Sequence, residues 1–239
     1  MYFATLLVIT AAVHSAHASL IWAANFAKAR DSKEAGFGNV QIQDGSGPIR
    51  NNGPAIPVIN HPKLGKSLNI SLNRDQMRWE AAPGGSNELG EGRTTYFRVD
   101  FVLGDNFNIG QDNPFCLLNQ IHQASNSGSP PIEFDVHDNA LWVRGASTAY
   151  NKKLIPVAHD TVYKLVYGVT TSSSASKSRL NVWVNENQVL RDFAPKNAFR
   201  VGGDSYWKGA TMYCSVDVDR PLEVYQNAHR VGDSYNDVA

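Results

Sequence analysis

Phe97-Arg98-Val99-Asp100-Phe101-Val102 is the stretch on which the fold turns. Side chains on an extended backbone alternate between two faces. Phe97, Val99 and Phe101 therefore share one face, opposite Arg98, Asp100 and Val102. The same period returns in Ile132-Glu133-Phe134-Asp135-Val136-His137 and in Leu180-Asn181-Val182-Trp183-Val184-Asn185. Turn-forming residues separate these runs at Gly104-Asp105-Asn106, Ser125 to Pro131, Asp138-Asn139, Thr170 to Ser178 and Asn185-Glu186-Asn187. Helical periodicity is almost absent, and there is no internal repeat. Short one-face-apolar strands at this spacing predict an all-β fold, a two-sheet antiparallel β-sandwich of the jelly-roll kind with a concave groove. Asp44 to Pro62, rich in Gly, Pro and Asn, reads as an extended surface segment.

Residues 1–18 carry no charged side chain, include Leu6-Leu7-Val8-Ile9 and end in Ala16-His17-Ala18, the pattern of a cleavable secretory leader. Residues 19–239 are then expected to be one extracellular domain. The apolar run is too short to span a bilayer. With 22 basic and 22 acidic residues the formal charge is zero. No global field draws the chain to nucleic acid or membrane, and a polyanion must be met by a local basic site. Cys116 and Cys214 belong to an oxidising compartment on this reading. As a pair they would close a loop worth up to ~4–5 kcal/mol in the chain-entropy model; the alternative is two buried thiols. Asn69-Ile70-Ser71 is a glycosylation sequon.

Three short segments carry candidate chemistry. In Asn119-Gln120-Ile121-His122, Gln120 and His122 share a face; the shared parity of Leu117 and Ile121 puts that face opposite the core. An amide beside an imidazole can hold a carboxylate and move a proton. In Tyr206-Trp207-Lys208-Gly209-Ala210-Thr211-Met212-Tyr213, Tyr206 and Lys208 share a face. Tyr213 joins it only if the parity slips, for which Gly209-Ala210 is the natural place. In Arg78-Trp79-Glu80, a cation and a carboxylate lie on one face, ready for a substrate carboxylate.

Together, Gln120-Ile121-His122, Tyr206-x-Lys208-Gly209 and the earlier Arg78-x-Glu80 resemble the jelly-roll polysaccharide lyases, a group that includes alginate lyases, heparin lyase I and the fungal glucuronan lyases. The order of Thr95-Tyr96-Phe97-Arg98-Val99, Asn106-Phe107, Gln120-Ile121-His122 and Pro130-Pro131-Ile132-Glu133-Phe134 is similar to the heparin-lyase-like subgroup. The resemblance runs from Arg74 to Cys214, and chain length is nearest the glucuronan lyases. It implies β-elimination at a uronic acid in an acidic polysaccharide, by a secreted monomer that requires no cofactor. Gln120, with Arg78 or another cation, would stabilise the charge developing on the carboxylate, as an oxyanion hole does. His122 or a tyrosine would take the proton beside it, Tyr206 or Tyr213 would protonate the departing oxygen, and Lys208 would steady phenolate or substrate. The chain departs from the alginate-lyase pattern Tyr-Phe-Lys-Ala-Gly-x-Tyr by one extra residue before Tyr213. That extra residue leaves either tyrosine open as the acid. The Arg-Ser-Glu-Leu-Arg motif of those enzymes is also missing, since Ala81-Ala82-Pro83 follows Glu80, and this counts against alginate.

Two other readings compete. Glu133-Phe134-Asp135-Val136-His137-Asp138 is similar to the signature of laminarinase-type hydrolases, with Glu133 and Asp138 as the carboxyl pair. A lectin on the same fold would stack sugars on Trp142, Trp183 or Trp207, and Trp142 is also a substrate-stacking candidate in a lyase. His61, His122, His137, His159 and His229 show no paired ligand spacing, so no metal site is read. Structural calcium held by loop carbonyls would leave no motif.

Overall fold

The protein is described by a computed structural model covering residues 19–84, 89–107, 116–122, 130–145, 150–174, 176–194, 206–214 and 221–239. Residues 1–18, read above as a leader, and most of the turn from Ser125 to Pro131 lie outside the described residues. In chain order the strands are β1 (Leu20–Ala23), β2 (Phe37–Asp44), β3 (Arg50–Gly53), β4 (Val58–His61), β5 (Gly65–Leu72), β6 (Gln76–Pro83), β7 (Thr94–Leu103), β8 (Cys116–His122) and β9 (Ile132–His137). They continue as β10 (Ala140–Gly145), β11 (Tyr150–Pro156), β12 (Tyr163–Thr170), β13 (Arg179–Val184), β14 (Asn187–Phe193), β15 (Tyr206–Lys208), β16 (Ala210–Cys214) and β17 (Leu222–Gly232). A one-turn helix, α1 (Tyr235–Val238), follows.

These strands form two antiparallel sheets, as the alternation predicts. The back sheet runs β14-β13-β12-β7-β17-β5-β4, with β1 alongside the end of β17. The front sheet runs β11-β10-β9-β8-β16-β6-β2-β3, with β15 continuing the line of β16 along β8. The segment from Asp44 to Pro62 is not merely extended surface, because it contributes β3 at the edge of the front sheet and β4 at the edge of the back sheet.

Apolar faces of both sheets meet in one core. Phe97, Phe101, Leu165 and Tyr167 come from the back, and Ile121, Phe134, Val136, Trp207 and Met212 from the front. Contact across the layers is aromatic: Phe97 lies 5.4 Å from Trp207 and Phe134 lies 4.6 Å from Tyr167, centroid to centroid. Val102, placed by parity on the polar face, is buried as well. Cys116 and Cys214 are ladder partners joined by a disulfide, which ties β8 to β16 across 98 residues of sequence.

Among the irregularities of the front sheet, two shape the face that carries the candidate segments. On β8, Leu117 pairs with Asp135 and Asn119 with Phe134, so Leu118 is an extra residue. Leu117 therefore falls on the outer face beside Tyr213, while Asn119 and Ile121 point into the core. The parity premise for Leu117 was wrong, yet Gln120 and His122 still face outward because the slip lies before them. The second irregularity separates β15 from β16: Lys208 pairs with Gln120 but Tyr213 pairs with Leu117, leaving surplus residues at Gly209-Ala210 as expected. Trp207 and Met212, of opposite parity, both reach the core.

Buried polar groups satisfy what these slips expose. The Asn119 amide donates to the Gly209 carbonyl at 2.9 Å, and its oxygen accepts from Tyr167 (2.6 Å) and from the Trp207 indole (2.8 Å). From the back sheet, Gln226 donates to the carbonyls of Leu118 (2.9 Å) and Thr211 (3.1 Å). Unpaired carbonyls in a core cost ~1–3 kcal/mol each, so the bulges are held rather than tolerated.

Candidate active site on the outer face of the front sheet

Strand pairing brings the three candidate segments together. β6 carries Arg78 and Glu80 opposite Tyr213 and Thr211 of β16; β15 carries Tyr206 and Lys208 opposite His122 and Gln120 of β8. Residues far apart in sequence thus share one outward patch through ladder register alone.

The patch has two layers. Glu80 lies beneath, 0% exposed, and its carboxylate accepts from Lys208 Nζ at 2.8 Å, from Arg78 at 3.1 Å and from the Gln120 amide. Its donors are nearly as deep: Gln120 is 1% exposed, Lys208 3% and Arg78 8%. Burial alone would raise the Glu80 carboxyl, but Lys208 and Arg78 outweigh it and hold the group below the usual carboxylate range. Two cations against one carboxylate leave one positive charge in excess under the face. It is a local basic site on a chain of zero formal net charge.

Above this layer stand the half-buried rings of His122, Tyr206 and Tyr213. His122 and Tyr206 lie 5.4 Å apart, centroid to centroid. The Arg78 guanidinium covers the Tyr213 ring at 4.0 Å. Burial and the nearby Glu80 raise the Tyr206 hydroxyl above its ordinary value, Arg78 opposing them. Tyr206 is therefore held in its protonated, donor form. Beside these rings a cleft of about 370 Å³ runs toward β2 and β3, lined by Asn39, Gln41, Asn51, Glu80, Ala82, Tyr206 and Lys208. Asn39, Gln41 and Asn51 were not singled out from the sequence; only the edge pairing of β3 with β2 brings them here.

Other candidates fall elsewhere. Trp142, on β10, shares the outer face but stands two strands from β8, roughly 10 Å away, stacked on His137 at 4.6 Å. Trp207 is fully buried, and Trp183 packs against Tyr96 and Tyr235 on the outside of the back sheet, so neither lies on this face. Asp138 occupies the two-residue turn between β9 and β10 at φ 48°. It lies roughly 16 Å of strand rise from Glu133, so the pair proposed for a hydrolase, which needs carboxyls about 5–5.5 Å apart, does not form. Glu133 instead meets Arg144 and, on its own strand face, Asp135. Sequon residue Asn69 sits half-buried on β5 of the back sheet.

Lys208, Arg78 and Gln120 converge on Glu80, which fixes their positions beneath the rings of His122, Tyr206 and Tyr213. Among the described residues no group of three or more metal-ligating side chains converges.

No protein-family model and no curated sequence matches this chain. Solved structures do. It is similar to endo-β-1,4-glucuronan lyase from the fungus Trichoderma reesei: 13% identity, 92% of this chain and 98% of that one covered, TM-score 0.53. It is similar to alginate lyase vAL-1 from Chlorella virus: 9% identity, 90% and 100% covered, TM-score 0.56. It also matches part of a protein named sialidase: 11% identity, 87% of this chain but 18% of that one, TM-score 0.51. At these identities the shared property is the fold, the jelly-roll sandwich of polysaccharide lyases. The sialidase shows that this fold also occurs under another name, so chemistry has to be argued from the side chains.

Proposed function

We propose that this protein is a polysaccharide lyase that cleaves a uronate-containing acidic polysaccharide by β-elimination. The observation carrying this reading is the assembly of Arg78, Gln120, His122, Tyr206, Lys208 and Tyr213 on one face over a buried carboxylate that leaves one positive charge in excess. A uronate carboxylate placed over that charge has its developing negative charge stabilised when the adjacent proton leaves. Arg78 and the second amide hydrogen of Gln120 act as preorganised donors there. His122 takes the proton. Tyr206, kept protonated, delivers one to the departing glycosidic oxygen, and Lys208 holds Glu80 in place beneath. The role of Tyr213 is to orient Arg78 through the stacked ring.

Glucuronan is the preferred substrate on this reading, supported by the missing alginate-type residues after Glu80, since the fold itself is shared with glucuronan and alginate lyases alike. Secretion of residues 19–239 after removal of residues 1–18 fits a polymer too large to enter a cell.

The test is ultraviolet absorbance during incubation with glucuronan, alginate and heparin-like chains, run beside a reducing-end assay. Rising absorbance on glucuronan is expected, and Tyr206→Phe is expected to lower the rate by about 10²–10⁴-fold with unchanged melting. New reducing ends without absorbance would overturn elimination in favour of hydrolysis; binding without either signal would make the protein a lectin.

A further inference from the structure

Beside the candidate active site, on the same outer face, a second charged cluster has the opposite balance. Arg144 on β10 meets two carboxylates of β9, Glu133 at 2.9 Å and Asp135 at 2.9 Å. Asp135 is fully buried and also pairs with His137 at 3.1 Å; Glu133 and Arg144 side chains keep 13% and 21% exposure. Glu133 is the ladder partner of Gln120, so this cluster begins one strand from the proposed reaction centre. An excess carboxylate there opposes a polyanionic chain lying across the strands.

We propose that Arg144 is a second receptor for a substrate carboxylate, one sugar or more from the cleaved bond, and that Glu133 is the place-holder the substrate displaces. This rests on the polyuronate reading of the face. On binding, the incoming carboxylate takes the Glu133 position on the guanidinium, and Glu133 accepts one proton from solvent. Asp135 keeps its contacts with Arg144 and His137. Among the described residues four groups face Glu133: Arg144 from β10, which favours its ionised form, and Asp135 on its own strand, Glu80 from β6 and Tyr150 from β11. Burial, first, and then Asp135 and Glu80 push the Glu133 carboxyl up to about 7 against the pull of Arg144. Release of the pair near neutral pH therefore needs little driving force. The ligand class that follows is a chain with uronates at neighbouring or closely spaced positions, rather than one isolated uronate among neutral sugars.

The test measures KM and kcat on the polymer that gives absorbing product, from about pH 5.5 to about pH 8.5. Wild-type KM is expected to rise by up to about tenfold per pH unit above 7, the slope of one linked proton. Glu133→Gln should abolish that slope and lower KM at high pH, with kcat within about twofold. Arg144→Lys, which keeps charge but loses the fork, should raise KM about tenfold at every pH. A Glu133→Gln protein that keeps the wild-type slope, or unchanged KM in Arg144→Lys, overturns the proposal. If no polymer is cleaved, the lyase reading fails separately. Calorimetric titration with polyglucuronate and polymannuronate, in two buffers of different ionisation heat, then decides. Uptake of most of one proton near pH 7.5, absent in Glu133→Gln, supports displacement; binding without uptake overturns it. A protein that neither cleaves nor binds any of these polymers loses both readings.

Discussion

Two clusters on one sheet face use the same side-chain chemistry in inverse proportion. Around Glu80, two cations enclose one carboxylate; around Arg144, two carboxylates enclose one cation. The first is sealed below the surface, with its carboxyl held below the usual carboxylate range. The second opens to solvent at Glu133 and can shed its excess charge by taking a proton. On the proposed lyase reading the sheet separates two tasks, with enclosed positive charge at the reaction centre and adjustable charge one strand away.

Their pH responses should run in opposite senses. Glu80 has a folded pKa below its unfolded value. Its contribution is present above the ordinary carboxylate range and is lost as pH falls through the depressed value. Glu133 has a folded pKa raised to about 7. The native state then holds a proton that the unfolded chain releases from about pH 4.5 upward, so stability declines between there and 7.

Breaking the first cluster should have the largest effect. Glu80→Gln leaves Arg78 and Lys208 buried without a counter-charge, and a loss of about 3–5 kcal/mol is expected in denaturant unfolding at neutral pH. Glu133→Gln sharpens the contrast by acting in the other direction. It should stabilise at pH ~8, with a ceiling of about 3 kcal/mol, and make no difference below about pH 4, where the wild-type group is protonated in both states. Gly209→Ala tests how far the first cluster depends on its bulge. A Cβ there would lie 2.8 Å from the Trp207 ring, and overpacking of about 1–3 kcal/mol is expected, read as a lower melting temperature and a loss of activity. The smallest effect belongs to an exposed pair outside both clusters: Lys63→Ala, removing the contact with Asp160, should cost under about 1 kcal/mol and leave the pH profile unchanged.

The sequence made the first cluster legible and the second only half so. Period-two alternation marks β7, β9 and β13 because one side of each must face the core, and Gly209 betrays the slip that brings Tyr213 round. Leu118 gives no such sign: an apolar residue inserted in an apolar run changes parity without changing composition, so Leu117 was assigned to the wrong face. The Glu133–Arg144 pairing was within reach, since a two-residue turn at Asp138-Asn139 dictates that these residues oppose one another. The same Glu133 also fits a hydrolase-like carboxylate signature, so its spacing alone does not separate a catalytic acid from a ladder neighbour. The contribution of Asn39, Gln41 and Asn51 was not legible, because nothing local in a Gly- and Asn-rich segment says that it will pair as an edge strand.

Gln226 makes the two sheets inseparable as units of inheritance. It belongs to the back sheet and, among the described residues, bonds to no candidate catalytic side chain, yet it supplies donors to the carbonyls of Leu118 on β8 and Thr211 on β16. A chimera that moved the front sheet onto another sandwich's backing would carry every motif residue across. Without an amide of that reach at position 226, its strands would relax toward regular pairing, and Tyr213 would turn away from Tyr206.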